Sequence, residues 1–195
     1  MSRLTGASPV TYRRVACAGD SRCVLGSRVD GEVVALDLSR DHTPDLVDER
    51  KRHEKAGGVV TEAGPEGKPP SRVFTRGPNA HGVAMSRSIG DLTMRKVGVI
   101  PEPEVKQYTL KPAGTGGDAA KTDLFLIVAS DGVWEFITST EACKLVAKFD
   151  DVAKACEALV HDARQRWELH EKGLYQDDIT AVVVRLPLLE SALAA

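Results

Sequence analysis

Three aspartates stand where predicted strands begin or end. Asp20 closes one strand, Asp131 closes another, and Asp177 stands just before a third. In an antiparallel sheet the end of one strand and the start of its neighbour share an edge, so the three carboxylates can converge. Carboxylates brought together repel one another, and burying them is costly unless a cation compensates. An all-oxygen donor set of this kind suits a hard ion such as Mg2+ or Mn2+ rather than zinc. The alternative is local: Asp before Gly or Ser is a common turn residue whose side chain bonds nearby backbone. Residue type and spacing alone leave both readings standing.

The other chemistry-bearing side chains give less. Cys17, Cys23, Cys143 and Cys156 form no CxxC pair and no Cys/His group at zinc-finger spacing, which reads as small apolar residues in a reducing compartment. A thiolate phosphatase would place Arg six positions after its nucleophile, and those positions hold Cys23, Val29, Phe149 and Asp162. Ser130 lacks the GxSxG surroundings of a hydrolase elbow. His42 and His81 have no partner spacing that marks a ligand, and surface or capping roles are expected.

The elements that must position these residues are partly legible. Strands are predicted over Arg14–Ala18, Cys23–Ser27 and Val33–Leu36, with turns at Gly19-Asp20-Ser21 and Asp30-Gly31, the latter a strong hairpin signal. Thr43-Pro44 is expected to open a charged helix that stops at Gly57-Gly58. Glycine and proline dominate from Gly64 to Pro78, predicting a surface loop or insert. Leu124–Ala129 is a short apolar run that suits a strand buried on both faces. Thr138 and Glu141 have capping-box spacing ahead of an apolar face of Ala142, Leu145, Val146 and Phe149. A second helix follows Asp150-Asp151, with Val152, Cys156, Leu159, Val160, Ala163 and Trp167 recurring every three or four residues. A β-branched strand spans Ile179–Val184.

The chain has 195 residues, 42% of them hydrophobic, enough for one core. A charged fraction of 28% with a net charge of only -2 supplies no basic field for nucleic acid or an anionic membrane. No signal-peptide core or membrane-length apolar run occurs, so a soluble cytoplasmic or nuclear protein is the expectation. Strands before and after a helical pair predict an α+β fold, because the opening hairpins are antiparallel.

Words in the sequence resemble those of the metal-dependent protein phosphatases of type 2C. Val15 to Arg22 (VACAGDSR) resembles that family's strand followed by GDSR, and Asp41-His42-Thr43-Pro44 its DH-x-P segment. Glu49, Arg52 and Gly57-Gly58 follow the E-x-x-R and GG words, with His53 where a branched apolar residue is usual. Ala84 to Asp91 resembles the SRxxGD block, and Pro101 to Val105 the proline-glutamate segment after it. Phe125 to Trp134 (FLIVASDGVW) is similar to the buried strand with its SDG. Asp177-Asp178-Ile179-Thr180 resembles the DNxT strand, with Asp178 in place of Asn. Each word is weak alone; together, in the family's order from Val15 to Val184, they are a strong signal.

The resemblance implies an antiparallel β-sandwich flanked by helices in α-β-β-α layers, and a phosphoserine/phosphothreonine phosphatase that uses Mg2+ or Mn2+ on phosphoprotein substrates. It implies that Asp131 and Asp177 hold the catalytic metals, that Asp20 serves a further metal site with Glu135 where an Asp is common, and that Gly132 lets backbone approach the metal. No catalytic residue beyond these ligands is implied. Arg87 and Asp91 look structural. The family's DGHGG word and phosphate-binding Arg are not found, so the expectation is the C-terminal part of a phosphatase domain over 13–187, with an N-terminal remnant over 1–12 and a tail over 188–195. A non-catalytic, phosphatase-like binding or regulatory module is the alternative expectation. Neither oligomeric state nor substrate identity is legible.

Overall fold

The computed structural model describes residues 12–65, 69–111 and 121–186. Its strands form three antiparallel sheets. Strand β1 (Tyr12–Cys17) pairs with β7 (Glu104–Thr109). Four strands, β2 (Arg22–Val29), β3 (Glu32–Asp37), β8 (Lys121–Ala129) and β9 (Ala181–Arg185), lie in the order β3-β2-β8-β9. A small sheet joins β4 (Val59–Thr61), β5 (Arg72–Phe74) and β6 (Gly82–Val83). With four helices, α1 (Val47–Lys55), α2 (Asp131–Trp134), α3 (Ser139–Val146) and α4 (Val152–Glu171), this is the α+β class expected from the sequence.

Local chemistry sets several elements. Asp30 and Gly31 both take positive φ, 49° and 87°, and turn β2 into β3 as the hairpin signal requires. Thr138 caps α3: its hydroxyl accepts from the Glu141 backbone N–H at 3.2 Å, and Glu141 reaches back to the Thr138 N–H at 2.9 Å. Asp151 accepts from Ala153 and Lys154 at the start of α4.

The main core lies between α3, α4 and one face of the four-stranded sheet, where Val24, Phe125, Ile127, Ala142, Val146 and Leu159 are fully buried. Burying each large apolar side chain contributes about 1.5–3 kcal/mol. In the paired register, Leu36, Leu25, Leu126 and Val184 line up on the opposite face, as do Cys23, Val128 and Val182. Among the described residues, the β1–β7 ribbon meets that second face through Val15 and Tyr108, which pack in one cluster with Cys23, Leu25 and Leu126. An open cavity of about 410 Å³ separates β1 from β2 and β8. Val128, which lines this cavity, is 44% exposed, and on the same face Val182 is 51% and Val184 46% exposed.

Four sequence expectations need correction. The 124–129 strand is not buried on both faces, because helices cover one side and a two-stranded ribbon only part of the other. Helix α1 starts at Val47 rather than Thr43; the Asp45 carboxylate accepts from Ser71 at 2.7 Å, a contact to the loop before β5, instead of capping the helix. The Gly64–Pro78 stretch is not all loop, since it holds β5, whose Val73 is buried beside Met94, Val97 and Val99; residues 66–68 lie outside the described ones. His42 is fully buried, not superficial: its backbone N–H donates to the Gly19 carbonyl at 2.9 Å and its ring Nδ1 lies 3.0 Å from the same oxygen.

Candidate metal centre

Each candidate aspartate sits where the chain leaves a strand of the four-stranded sheet or enters one. Asp20 lies in the link that carries the chain from β1 in the ribbon to β2 in the larger sheet. Asp131 opens α2 directly after β8, and Asp177 precedes β9, the neighbour of β8. Glu135 follows α2 and is exposed. Antiparallel pairing of β2 with β8 and of β8 with β9 puts these ends on one rim.

Their charges are felt mutually. Burial first, then Asp131, Asp41 and Asp177, push the Asp20 carboxyl up to about 6 from its ordinary 3.8. Burial first, then Asp177 and Glu135, raise Asp131. Shifts of this sign reflect burial first and the neighbouring carboxylates second. Arg22 adds no compensation for Asp20, since its guanidinium is forked on Asp41 at 2.6 and 3.0 Å and bonded to Ser139 at 3.1 Å. Among the described residues, however, no three His, Cys, Asp or Glu side chains come together as a ready metal cage. The structure thus brings Asp20, Asp131, Asp177 and Glu135 into one electrostatic neighbourhood without closing them into a coordination shell.

The backbone around these acids is held tightly. Ser130 stitches the ends of β8 and β9: its hydroxyl donates to the Asp178 carbonyl at 2.8 Å and accepts from the Thr180 N–H at 3.0 Å, which leaves it no nucleophilic role. A β-carbon on Gly132 would collide with the Asp178 carbonyl. The need for glycine at 132 thus comes from close packing of the two acid-bearing segments in this structure. Trp134 and Trp167 reinforce the junction, donating from Nε1 to the carbonyls of Ala129 at 2.9 Å and Gly132 at 2.7 Å.

Behind the rim lies a buried ionic network. Glu49, fully buried, takes Arg87 at 2.7 Å and Arg52 at 2.5 Å. Burial alone would raise its carboxyl, but the hydrogen bonds from Arg52 and Arg87 outweigh it and hold the group down to about 2. His53 bonds Val97 O at 2.7 Å and Ser86 Oγ at 3.0 Å, which explains a polar residue at a buried helical position. Arg87 and Asp91 are structural as expected: Asp91 accepts from Ser88 at 2.6 Å.

The geometry is matched by kinship. The protein phosphatase 2C family model matches residues 11–168. The chain belongs to the protein phosphatase 2C family. Among phosphatase 2C relatives, it is 32% identical over 194 residues to probable protein phosphatase 2C 35 of Arabidopsis thaliana, covering 91% of this chain and 53% of that protein. It is 36% identical over 174 residues to probable protein phosphatase 2C 12 of Oryza sativa subsp. japonica, covering 88% and 42%. The chain spans about half the length of these curated relatives. Its fold is similar to that of a serine-threonine phosphatase 2C from Toxoplasma gondii, with a TM-score of 0.73 at 21% identity over 90% of this chain and 55% of that one.

Sequence reasoning missed Tyr175, whose hydroxyl donates to Asp177 Oδ2 at 3.1 Å. Only the proximity of an aromatic to a candidate ligand could have hinted at it. No helix among the described residues is long and apolar enough to cross a membrane.

Proposed function

We propose that this chain is the metal-ligand-bearing part of a protein serine/threonine phosphatase, acting on phosphoserine and phosphothreonine of protein substrates. The observation that carries the reading is the placement of Asp20, Asp131 and Asp177 at the ends of neighbouring strands along one rim of the sheet. The donor chemistry fits a hard divalent cation, Mg2+ or Mn2+, because every candidate ligand is a carboxylate oxygen. Asp131 and Asp177 would hold it, with Asp20 and Glu135 at a further position. When bound, such a cation lowers the pKa of a bound water and offsets charge on a phosphoryl group.

The chain's own residues supply placement. Ser130 and Gly132 hold Asp131 against the Asp178 backbone, and the His42 contacts to Gly19 hold the link that carries Asp20. The acids also repel a phosphate dianion, so a phosphoprotein would approach this rim only with the cation in place.

The test is a Mn2+ titration of the purified chain, followed by calorimetry and by hydrolysis of a phosphothreonine peptide, beside the Asp131→Asn and Asp177→Asn variants. Binding that both variants weaken at least tenfold supports the reading. Binding left unchanged by both would reject it. Binding without turnover favours the second reading, a non-catalytic phosphatase-like module; the open face of the four-stranded sheet, with Val128, Val182 and Val184 exposed, is the observation behind that alternative.

A further inference from the structure

We propose that Tyr175, braced by Trp167, is a positioning residue that orients the Asp177 carboxylate toward a cation, an inference that rests on the metal reading above. Asp177 lies in a stretch between α4 and β9 that carries no helix or strand, so no regular backbone fixes its side chain. Two contacts do so. Its Oδ1 accepts from the Asp178 backbone N–H at 2.8 Å, and its Oδ2 accepts from the Tyr175 hydroxyl at 3.1 Å. Each oxygen accepts one hydrogen bond and keeps a further lone pair, and the two bonds together fix the rotation of the carboxylate.

Tyr175 is itself placed from the side of the other acid. Its ring meets Trp167 edge-on, with centroids 5.6 Å apart and planes at 75°. Trp167 is only 5% exposed, packs edge-on against Phe136 at 4.8 Å, and donates from Nε1 to the carbonyl of Gly132, the residue after Asp131. One indole thus touches the peptide beside Asp131 and the phenol that grips Asp177. The two acids come from segments that are remote in sequence, and this aromatic strut couples their separation to α4.

Burial does not account for Tyr175, which is 58% exposed. A half-solvated tyrosine with its hydroxyl committed to a carboxylate is arranged for that carboxylate. Partners that orient a metal ligand typically change affinity about 10- to 100-fold when removed.

The experiment measures Mn2+ binding to the whole chain by calorimetry, with thermal midpoints recorded in parallel, for Tyr175→Phe, Leu174→Ala and Asp177→Asn. Tyr175→Phe keeps the ring against Trp167 and removes only the hydroxyl. About tenfold weaker Mn2+ binding with an unchanged midpoint, and no change in Leu174→Ala, supports the positioning role. Tyr175→Phe binding as tightly as the unsubstituted chain, while Asp177→Asn binds poorly, overturns the role and leaves the metal site intact. Asp177→Asn binding normally, or no Mn2+ binding by the unsubstituted chain, overturns the metal reading and the strut with it.

Discussion

The carbonyl oxygen of Asp178 occupies the space that a β-carbon on Gly132 would fill. The obstacle is backbone, tied down by Ser130 and by the β8–β9 pairing, so it cannot yield as a side-chain tip would. Gly132→Ala should destabilise the fold by about 1–3 kcal/mol, the usual cost of overpacking. Urea denaturation checks this, and a midpoint equal to that of the unsubstituted chain would refute the packing argument.

The buried Glu49 carboxylate should make stability acid-sensitive. Its folded value of about 2 lies below the ordinary 4.5, so the unfolded chain binds the proton more readily. The stabilisation is therefore complete above about pH 5 and drains away as pH falls toward 2. Glu49→Gln should cost roughly 3–5 kcal/mol at neutral pH, because Arg52 and Arg87 lose their buried counter-charge. Thermal midpoints across this window should fall less steeply for Glu49→Gln than for the unsubstituted chain.

At Thr138 the expected effect is smaller and local. Thr138→Ala removes the hydroxyl that accepts from Glu141 N–H, at about 1 kcal/mol. Thr138→Ser keeps the oxygen and should restore most of the loss in the same denaturation assay.

The exposed valines of the four-stranded sheet should govern self-association. Val182 and Val184 lie on the face opposite the helices, at the β9 edge of the sheet. An apolar face of this kind beside β9, the edge strand among the described residues, invites intermolecular pairing. Val182→Lys should reduce concentration-dependent light scattering while leaving the thermal midpoint within a few degrees; scattering that does not change would show the association to arise elsewhere.

Much of the site's composition is legible in the sequence alone. The order of words from Gly19-Asp20-Ser21-Arg22 to Asp177-Asp178 pointed to the family, and the strand ends at Asp20, Asp131 and Asp177 suggested a shared rim. Asp30-Gly31 and the Thr138/Glu141 box were legible because turn and cap chemistry is written within a few neighbouring residues. The burial of His42, Glu49 and His53 was not, since polar residues at inward positions look like surface until their distant partners are known.

What the sequence determined by itself is local: which residues turn, cap, alternate and carry charge, and so which acids are available for a divalent cation. The tertiary structure decided that β1 and β2, consecutive in the chain, belong to different sheets, so that Asp20 bridges them. It also decided that Trp167 reaches Gly132 and that Tyr175 grips Asp177. The reason is physical: strand partners and side-chain contacts between remote segments depend on register and packing across the whole core, and short-range propensity carries no information about either.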